Sequence, residues 1–354
     1  MSTLISEAFL ASVKREYGVQ VVACLPLGTG AMSQTFRLTT PQHTLFLKIY
    51  RSVQDPAGKP HIERIAFSHT VQRSLETAGF PVPHLLTNLN DATYTTHDGA
   101  VYALSDFVEG RDYDPANADD LRAAGHLLGR LHQHLAAPNE PTPACGHPSQ
   151  EGIQHCDQFP SRGGVREAGG GSSTEKCQPF EEEVAQILLE RLDRIAAMDS
   201  VATVPIGAWR DEVVALTQRL GQPTPHTQVI HGDYRAQNLK YGEHGVCAVL
   251  DWDMARPASR LHDLAYALVF FPAVYQDTPP TTAQQRAFYE AYTAAYPLTA
   301  EERRLLPAYL QLAFLRGLTL WLNLACTTNL RQRLQPWIQA YLGERDRLVE
   351  VPVS

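Results

Sequence analysis

The residues best suited to chemistry lie in the segment HGDYRAQN, residues 231–238, which directly follows the strand-like run TQVI. His231, Asp233 and Asn238 place an imidazole, a carboxylate and an amide in this one segment. Gly, Asp and Asn are also the residues that turns prefer, so a plain polar turn after a strand is one interpretation. The other is a catalytic loop, in which a carboxylate accepts a hydroxyl proton and an amide oxygen holds a metal ion.

A short hairpin follows this segment and returns a further carboxylate. After Asn238 the chain reads LKY, turns at GEHG (242–245) and comes back as VCAVLDWD (246–253). The arms of such a hairpin end near one another, so Asp251 is predicted to lie beside Asp233 and Asn238. Two carboxylates and an amide oxygen suit Mg²⁺, with phosphate oxygens and water completing its shell. Phosphoryl transfer uses the same parts, whereas the role of Asp253 stays open.

A glycine-containing turn and a lysine lie near the start of the chain. The segment LGTGAMSQTFRL (27–38) carries Gly28 and Gly30, which let a backbone approach phosphates closely, and Ser33, which adds a hydroxyl donor. Lys48 follows one hairpin later in the apolar strand LFLKIY. An ordinary hairpin and a solvent-facing lysine are the alternatives for each segment alone. Together they favour a phosphate-binding site.

Size and composition set the broad class of protein. The chain has 354 residues, which predicts two lobes or domains. Its formal net charge of −8 argues against a nucleic-acid partner and is compatible with cationic or neutral small substrates. The 6 cysteines are scattered without a C-x-x-C pair, which predicts reduced thiols. No signal peptide and no membrane span are expected, and the predicted location is the cytoplasm.

The predicted elements change in character along the chain. A helix over 5–17 precedes β patterns from about 20 to 50, a helix over 61–78 and two further strands. Residues 1–109 are therefore predicted to form an α+β lobe with an antiparallel sheet, and 110–354 a mostly helical lobe. Residues 137–178, rich in Pro, Gly and Ser, are predicted to form a flexible surface insertion. The helices predicted beyond this insertion span residues 181–198, 211–220, 260–272, 281–296, 300–325 and 329–348.

The order of motifs resembles the aminoglycoside phosphotransferase/choline kinase family over roughly residues 20–325. The glycine loop and strand lysine are followed by GFPVP, a linker ending in EG, AAGHLLGRLH, HGDYRAQN, DWD and DLA. The resemblance implies a bilobal protein-kinase-like fold and an enzyme that uses ATP and Mg²⁺. It leans toward homoserine-kinase-like and spore-coat-like bacterial members.

The resemblance also implies a role for individual residues. The family's catalytic base corresponds to Asp233, and its metal ligands correspond to Asn238 and Asp251. The remaining implied residues contact the nucleotide, whose phosphates meet the glycine loop and strand lysine and whose adenine meets the linker backbone. They are Gly28, Gly30, Ser33, Lys48, Asp106 and Val108. Asp263 corresponds to a buried Asp that supports the catalytic loop, and His231 is predicted to fix the loop backbone.

Two departures from the family pattern bear on catalysis. A Glu normally pairs with the lysine, but the corresponding position here falls near Ser68 or His69. Either Glu63, more than one helical turn earlier, serves in its place or the pair is absent. Arg235 stands inside the catalytic segment, where it could contact substrate or phosphate or simply pair with a surface acid.

These residues predict a phosphotransferase that moves the γ-phosphate of ATP to a hydroxyl of a small molecule, such as an amino alcohol, a sugar or an antibiotic. The alternative is a catalytically weak nucleotide-binding or structural protein of the same fold. The acceptor and the oligomeric state stay open.

Overall fold

The computed structural model describes residues 5–29, 33–50, 62–136, 180–198, 204–220, 227–271, 278–328 and 330–352. The predicted fold class is confirmed, because an amino-terminal antiparallel sheet precedes a mostly helical carboxyl-terminal lobe. The predicted insertion at 137–178 lies outside the described residues. The proposed boundary near residue 109 falls in the segment between the sheet and the first long helix of the second lobe.

The amino-terminal lobe is built on five antiparallel strands in the order β1-β2-β3-β5-β4. They are β1 Ala23–Thr29, β2 Ser33–Thr39, β3 Thr44–Tyr50, β4 Thr95–His97 and β5 Ala100–Asp106. Helices α1 (Glu7–Tyr17) and α2 (Ile62–Thr77) flank the sheet. The predicted β-meander and both predicted helices are therefore present.

Strand alternation decides which way the lysine of β3 points. Leu45, Leu47 and Ile49 pack with Phe9 and other residues of α1 in one apolar cluster. Successive side chains of a strand point to opposite faces, so Lys48 must face away from that cluster. The opposite face of β3 lines the cleft between the lobes.

The carboxyl-terminal lobe contains eight described helices and four short strands. The helices are α3 Ala118–Leu135, α4 Phe180–Ala196, α5 Ile206–Leu220, α6 Leu261–Phe270, α7 Thr282–Ala295, α8 Ala300–Thr327, α9 Arg331–Gly343 and α10 Arg345–Leu348. The strands are β6 Thr227–Ile230, β7 Leu239–Gly242, β8 Gly245–Val249 and β9 Arg256–Ser259, which pair as β6 with β9 and β7 with β8. The prediction of a single helix over 329–348 is wrong, because the helix is interrupted at Glu344, which separates α9 from α10.

Close backbone packing joins α3 to α7. A Cβ atom at Gly125 would lie 2.5 Å from the carbonyl oxygen of Phe288, and one at Gly129 would lie 2.6 Å from that of Tyr292. Glycine is therefore required at both positions for the helices to approach this closely. α3 is thereby held where its His132 reaches the base of the catalytic loop.

Helix α8 is long and apolar enough, by length and composition, to cross a membrane, and it alone is so among the helices within the described ranges. However, 72% of its most apolar window is buried inside the protein. It packs against α4, α5, α6 and α9. Its apolar character is therefore accounted for by its place in the core of the helical lobe.

Candidate active site

The predicted catalytic segment, residues 231–238, begins where β6 ends, and a buried carboxylate fixes its backbone. Gly232 has a φ of +79°, and a Cβ atom there would lie 2.3 Å from the carbonyl oxygen of Met254, so only glycine fits. The backbone N–H groups of His231 and Gly232 donate to the two oxygens of Asp263, at 2.8 and 2.9 Å. Asp263 therefore sets the direction in which the loop leaves the strand.

Asp263 is itself held by α3. The Nε2 atom of His132 lies 3.2 Å from Asp263 Oδ2, and its Nδ1 atom lies 2.8 Å from the hydroxyl of Tyr292. Burial opposes ionisation of Asp263, but His132 and the loop N–H groups outweigh it and hold the pKa of this carboxyl below its ordinary value. The geometry agrees with the supporting role implied for Asp263.

His231 uses both ring nitrogens on the backbone. Its Nδ1 accepts from the N–H of Asp233 at 3.2 Å, so its Nε2 carries the proton and donates to the carbonyl of Leu250 at 3.0 Å. Its ring also packs against Trp252, with centroids 4.6 Å apart. Both nitrogens are engaged, so the arrangement favours loop shaping over proton transfer for this residue.

Asp233 is a half-buried carboxylate with two polar neighbours. Asn238 Nδ2 donates to its Oδ2 at 3.0 Å and to its backbone carbonyl at 2.9 Å. Arg235 Nε lies 3.1 Å from the same Oδ2, so its partner is this site residue and not a surface acid. Burial raises the pKa of Asp233 although Arg235 and His231 act against the rise. A carboxylate with a raised pKa is a better proton acceptor than an ordinary Asp.

The β7–β8 hairpin brings the second carboxylate to the same place, as its sequence predicts. Leu239 pairs with Val249, and the N–H of Leu250 donates to the carbonyl of Asn238 at 2.7 Å. Asp251 follows in the left-handed region, with φ of +61°. Such a conformation costs a non-glycine residue about 1–3 kcal/mol and is typical of functional sites.

Lys48 joins the two lobes electrostatically. Its Nζ lies 2.7 Å from a carboxylate oxygen of Asp251 and 2.7 Å from one of Asp253. Burial disfavours the ammonium, but the two carboxylates outweigh burial and raise the pKa of Lys48. Glu63 is exposed in the first turn of α2 and is not among the ion-pair partners of Lys48 found in the described residues. Both carboxylates paired with the lysine thus come from the other lobe.

The α2 position at which the family pattern predicts an acid holds neutral side chains. Ser68 and His69 are buried there and line the same cleft as Lys48. The ring of His69 hydrogen-bonds to the hydroxyls of Tyr50 and Thr93, each at 2.8 Å. Burial, helped by the charge of Lys48, lowers the pKa of His69 to about 4, so it is uncharged at neutral pH.

The cleft between the lobes has a volume of about 400 Å³ and collects most of the predicted nucleotide-binding residues. Ser33, Lys48, Asp106 and Val108 all line it. The N–H of Asp106 donates to the carbonyl of His84 at 2.9 Å, and the carbonyl of Asp106 accepts from the hydroxyl of Ser105 at 3.3 Å. Gly28 lies in β1 beside a bulge at which the strand register shifts. Gly30 falls outside the described residues.

The cleft also offers oxygen donors for a hard cation. Asn238, Asp251 and Asp253 line one wall, and the Nδ2 of Asn238 is used on Asp233, which leaves its Oδ1 for a ligand. Two carboxylates against one ammonium leave a net negative charge that suits a divalent ion. Within the described ranges, no group of three or more His, Cys, Asp or Glu side chains forms a closed metal site. The donors therefore fit Mg²⁺ shared with phosphates better than a structural metal.

Comparison with known proteins identifies the class to which this fold belongs. The fold is shared with solved structures of small-molecule kinases. An amicoumacin kinase in complex with AMP-PNP, Ca²⁺ and its ligand matches over 97% of this chain and 94% of its own, at a TM-score of 0.65 and 14% identity. A microcompartment-associated aminopropanol kinase matches over 98% and 100%, at 0.61 and 15%. Spectinomycin phosphotransferase, in complex with ADP and spectinomycin, matches over 99% and 98%, at 0.56 and 13%.

The family model described as APH, phosphotransferase enzyme family, matches residues 23–307. The chain belongs to this family, and the predicted resemblance is confirmed. Two curated relatives are each 26% identical: acyl-CoA dehydrogenase family member 11 of Gallus gallus over 60% of this chain, and homoserine kinase of Zymomonas mobilis over 30%. The matched part spans only 24% and 31% of those proteins, respectively.

Two residues of the site, Asp253 and Arg316, were not assigned a role from the sequence. Asp253 has a defined contact as the second carboxylate on Lys48. Arg316, on α8, donates through Nη2 to the carbonyl of Gly232 at 3.3 Å. Arg316 is distant in sequence from the catalytic segment, so no local pattern indicates that it belongs to the site. Asp253, in contrast, belongs to the D-W-D motif that the sequence analysis had singled out.

Proposed function

We propose that the protein is an ATP- and Mg²⁺-dependent phosphotransferase whose acceptor is a hydroxyl group of a small molecule. The observation that carries the proposal is the convergence of Asp233, Asn238, Asp251 and Lys48 where the cleft meets the catalytic segment. A proton acceptor, amide and carboxylate oxygens and a phosphate-binding cation are the parts that phosphoryl transfer requires. The activity belongs to the cytoplasm, where ATP is supplied.

The nucleotide occupies the cleft with its adenine at the Asp106–Val108 backbone. Lys48 donates to the phosphates, and Ser33 adds a hydroxyl at the edge of the sheet. Asn238 and Asp251 would hold Mg²⁺, which when bound neutralises charge on the phosphates. Held by these residues, the nucleotide would present its γ-phosphate toward Asp233.

Asp233 orients the acceptor hydroxyl and takes its proton. As the acceptor oxygen bonds to the γ-phosphorus, the bond from that phosphorus to the bridging oxygen of ADP breaks, and ADP leaves. The hydrogen bond from Asn238 and the contact with Arg235 hold the carboxylate in one orientation. The backbone contacts of His231 and Asp263 hold the loop that carries it.

A transfer screen with labelled ATP across hydroxylated metabolites and antibiotics tests the proposal, together with Mg²⁺-dependent binding of ATP. Asp233→Asn should reduce transfer by about 100-fold or more while ATP still binds, because the proton acceptor is lost and the nucleotide contacts are kept. The matched control is Asp211→Asn, at an exposed position on α5. Binding of ATP without transfer to any acceptor would favour a nucleotide-binding protein and contradict the proposal.

A further inference from the structure

Three arginines from separate parts of the helical lobe converge beside the catalytic segment. Arg191 comes from α4, Arg235 from the segment itself and Arg316 from α8. We propose that Arg191 and Arg316, with Arg235 beside them, bind an anionic group of the acceptor, so that the preferred substrates are hydroxylated carboxylates or phosphates. This inference rests on the proposed phosphotransferase function and specifies its substrate class.

Arg316 is held against the loop that carries the proton acceptor. Its Nη2 donates to the carbonyl of Gly232, the residue before Asp233, at 3.3 Å. Its guanidinium carbon lies 5.4 Å from the ring centroid of Tyr266 on α6. The side chain is half-buried, so its charge is only partly screened by water. A cation is therefore fixed next to the place where the acceptor hydroxyl must lie.

Arg191 extends this positive charge. Its Nη1 donates to the backbone carbonyl of Arg316 at 3.3 Å, which brings the guanidinium of Arg191 to the turn of α8 that carries Arg316. Burial and the neighbouring charges of Arg316 and Arg194 lower the pKa of Arg191, as expected where like charges are crowded. An anion bound between them would relieve this repulsion.

Arg191 and Arg316 differ from Arg256 and Arg260, which are also on the helical lobe, in having no carboxylate partner among the residues that the structure describes. Arg256 is paired with Glu183 at 2.9 Å, and Arg260 with Glu302 at 2.7 Å. In the described part of the chain, no carboxylate lies within ion-pair distance of Arg191 or Arg316. Their charge is thus available to a ligand, whereas the paired arginines serve the fold.

Tyr266 marks the point on which the charges converge. Burial and the carboxylate of Asp233 raise the pKa of its hydroxyl, whereas Arg316, Arg235 and Arg191 oppose the rise. All four charged groups therefore act on one partly exposed side chain. Of these arginines, none lines the cleft described for the nucleotide, so their position favours contact with the acceptor.

Arginine suits this role because its planar guanidinium pairs with both oxygens of a carboxylate or phosphate. The whole chain carries a net charge of −8, which by itself is compatible with cationic or neutral substrates. The local charge beside Asp233 is the opposite. A cationic acceptor would meet like charge there, whereas an anionic acceptor would be attracted and oriented with its hydroxyl toward the carboxylate.

Matched acceptors provide the test. Hydroxycarboxylates and phosphorylated alcohols are compared with uncharged amides or diols and with amino alcohols of the same carbon skeleton, by transfer from labelled ATP. The anionic member of a set should have a kcat/KM at least about 10-fold above its neutral and cationic counterparts. Comparable or better transfer to the amino alcohols would overturn this inference while leaving the phosphotransferase function intact. Absence of transfer to every acceptor would overturn both.

Variants then assign the effect to the arginines. Arg316→Gln and Arg191→Gln should each lower, about 10-fold or more, the ratio of kcat/KM for the anionic acceptor to kcat/KM for its neutral analogue. Arg122→Gln is the control, since Arg122 is exposed on α3 and paired with Asp119. Thermal unfolding of each variant shows whether it is folded. If one of the two variants does not fold, the other still tests the inference. An equal fall in kcat/KM for all acceptors would assign the arginines to the shape of the segment that carries Asp233 or to the transferred phosphate, and would overturn the inference.

Discussion

Replacement of Asp263 by Asn should destabilise the protein and displace the catalytic segment. Asp263 is buried and accepts from the N–H of His231, the N–H of Gly232 and the ring of His132, at 2.8, 2.9 and 3.2 Å. Two of these donors belong to the backbone just before Asp233. The substitution keeps the size of the side chain but turns one acceptor oxygen into a donor.

The contacts set the expected magnitude. An Asn that keeps its oxygen on His231 and His132 presents its amide to the N–H of Gly232, which leaves a buried donor without a partner at about 1–3 kcal/mol. The two remaining hydrogen bonds lose their ionised acceptor and weaken by about 1 kcal/mol each. Loss of a buried charge offsets part of this cost. The free energy of unfolding should therefore fall by about 2–4 kcal/mol.

Urea unfolding at neutral pH measures this loss, and transfer kinetics measure its effect on the loop. The Asp211→Asn variant serves again as the control, because it removes an exposed carboxylate from α5. kcat should fall more than nucleotide affinity, since the displaced backbone carries Asp233. A free energy of unfolding for Asp263→Asn within about 0.5 kcal/mol of the control, with unchanged kcat, would refute the role given to Asp263.

The pH dependence of stability gives a second measure of the same group. The pKa of Asp263 lies below its ordinary value in the folded protein. Its contribution is therefore fully present above the unfolded pKa and is lost as the pH falls through the folded pKa. Acid unfolding of the wild-type protein should show this loss, whereas Asp263→Asn should lack it.

Three further predictions concern the catalytic segment and the helix packing behind it. Because burial holds the pKa of Asp233 above its ordinary value, its ionised form destabilises the fold at neutral pH. Asp233→Asn should therefore raise the melting temperature in a thermal scan while it reduces transfer about 100-fold or more. The kcat of the wild-type protein should fall as the pH drops through that raised pKa. Gly232→Ala should lower the free energy of unfolding by about 2–5 kcal/mol, because it forces a left-handed residue against a carbonyl oxygen at 2.3 Å; unfolding that matches Gly207→Ala, where the added Cβ meets nothing within 4 Å, would contradict this. Gly125→Ala should lower the free energy of unfolding by about 1–3 kcal/mol, measured in the same urea assay, because the added methyl group separates α3 from α7. Transfer should be reduced only as far as this separation displaces His132.

The local patterns of the sequence were sufficient for most of the elements. Alternating apolar residues predicted β2 and β3, and the turn between residues 242 and 245 predicted the hairpin that returns Asp251. These features depend on neighbours a few positions apart, which a linear pattern records directly. The break between α9 and α10 was missed, because a periodic apolar pattern continues across it.

Long-range contacts determined the partners of the site residues. The sequence predicted that Lys48 lies on a strand and left Glu63 as a candidate partner. In the folded protein the two lobes approach each other, and Lys48 pairs with Asp251 and Asp253. Arg235 had several possible partners until the fold placed Asp233 beside it. Ion pairs form between groups that packing brings together, so their identity is a property of the folded chain.

The sequence by itself determined where the groups of the proposed site stand. The proposed proton acceptor, the proposed oxygen ligands and the lysine lie in recognisable segments, because each must follow a strand or turn of fixed local geometry. The tertiary structure alone decided the electrostatic surroundings of that chemistry. Arg191 and Arg316 lie far from the catalytic segment in the chain and reach it only because α4 and α8 pack together behind it. Charge acts through space and not along the chain, so the inferred preference for an anionic acceptor became visible only in the folded protein.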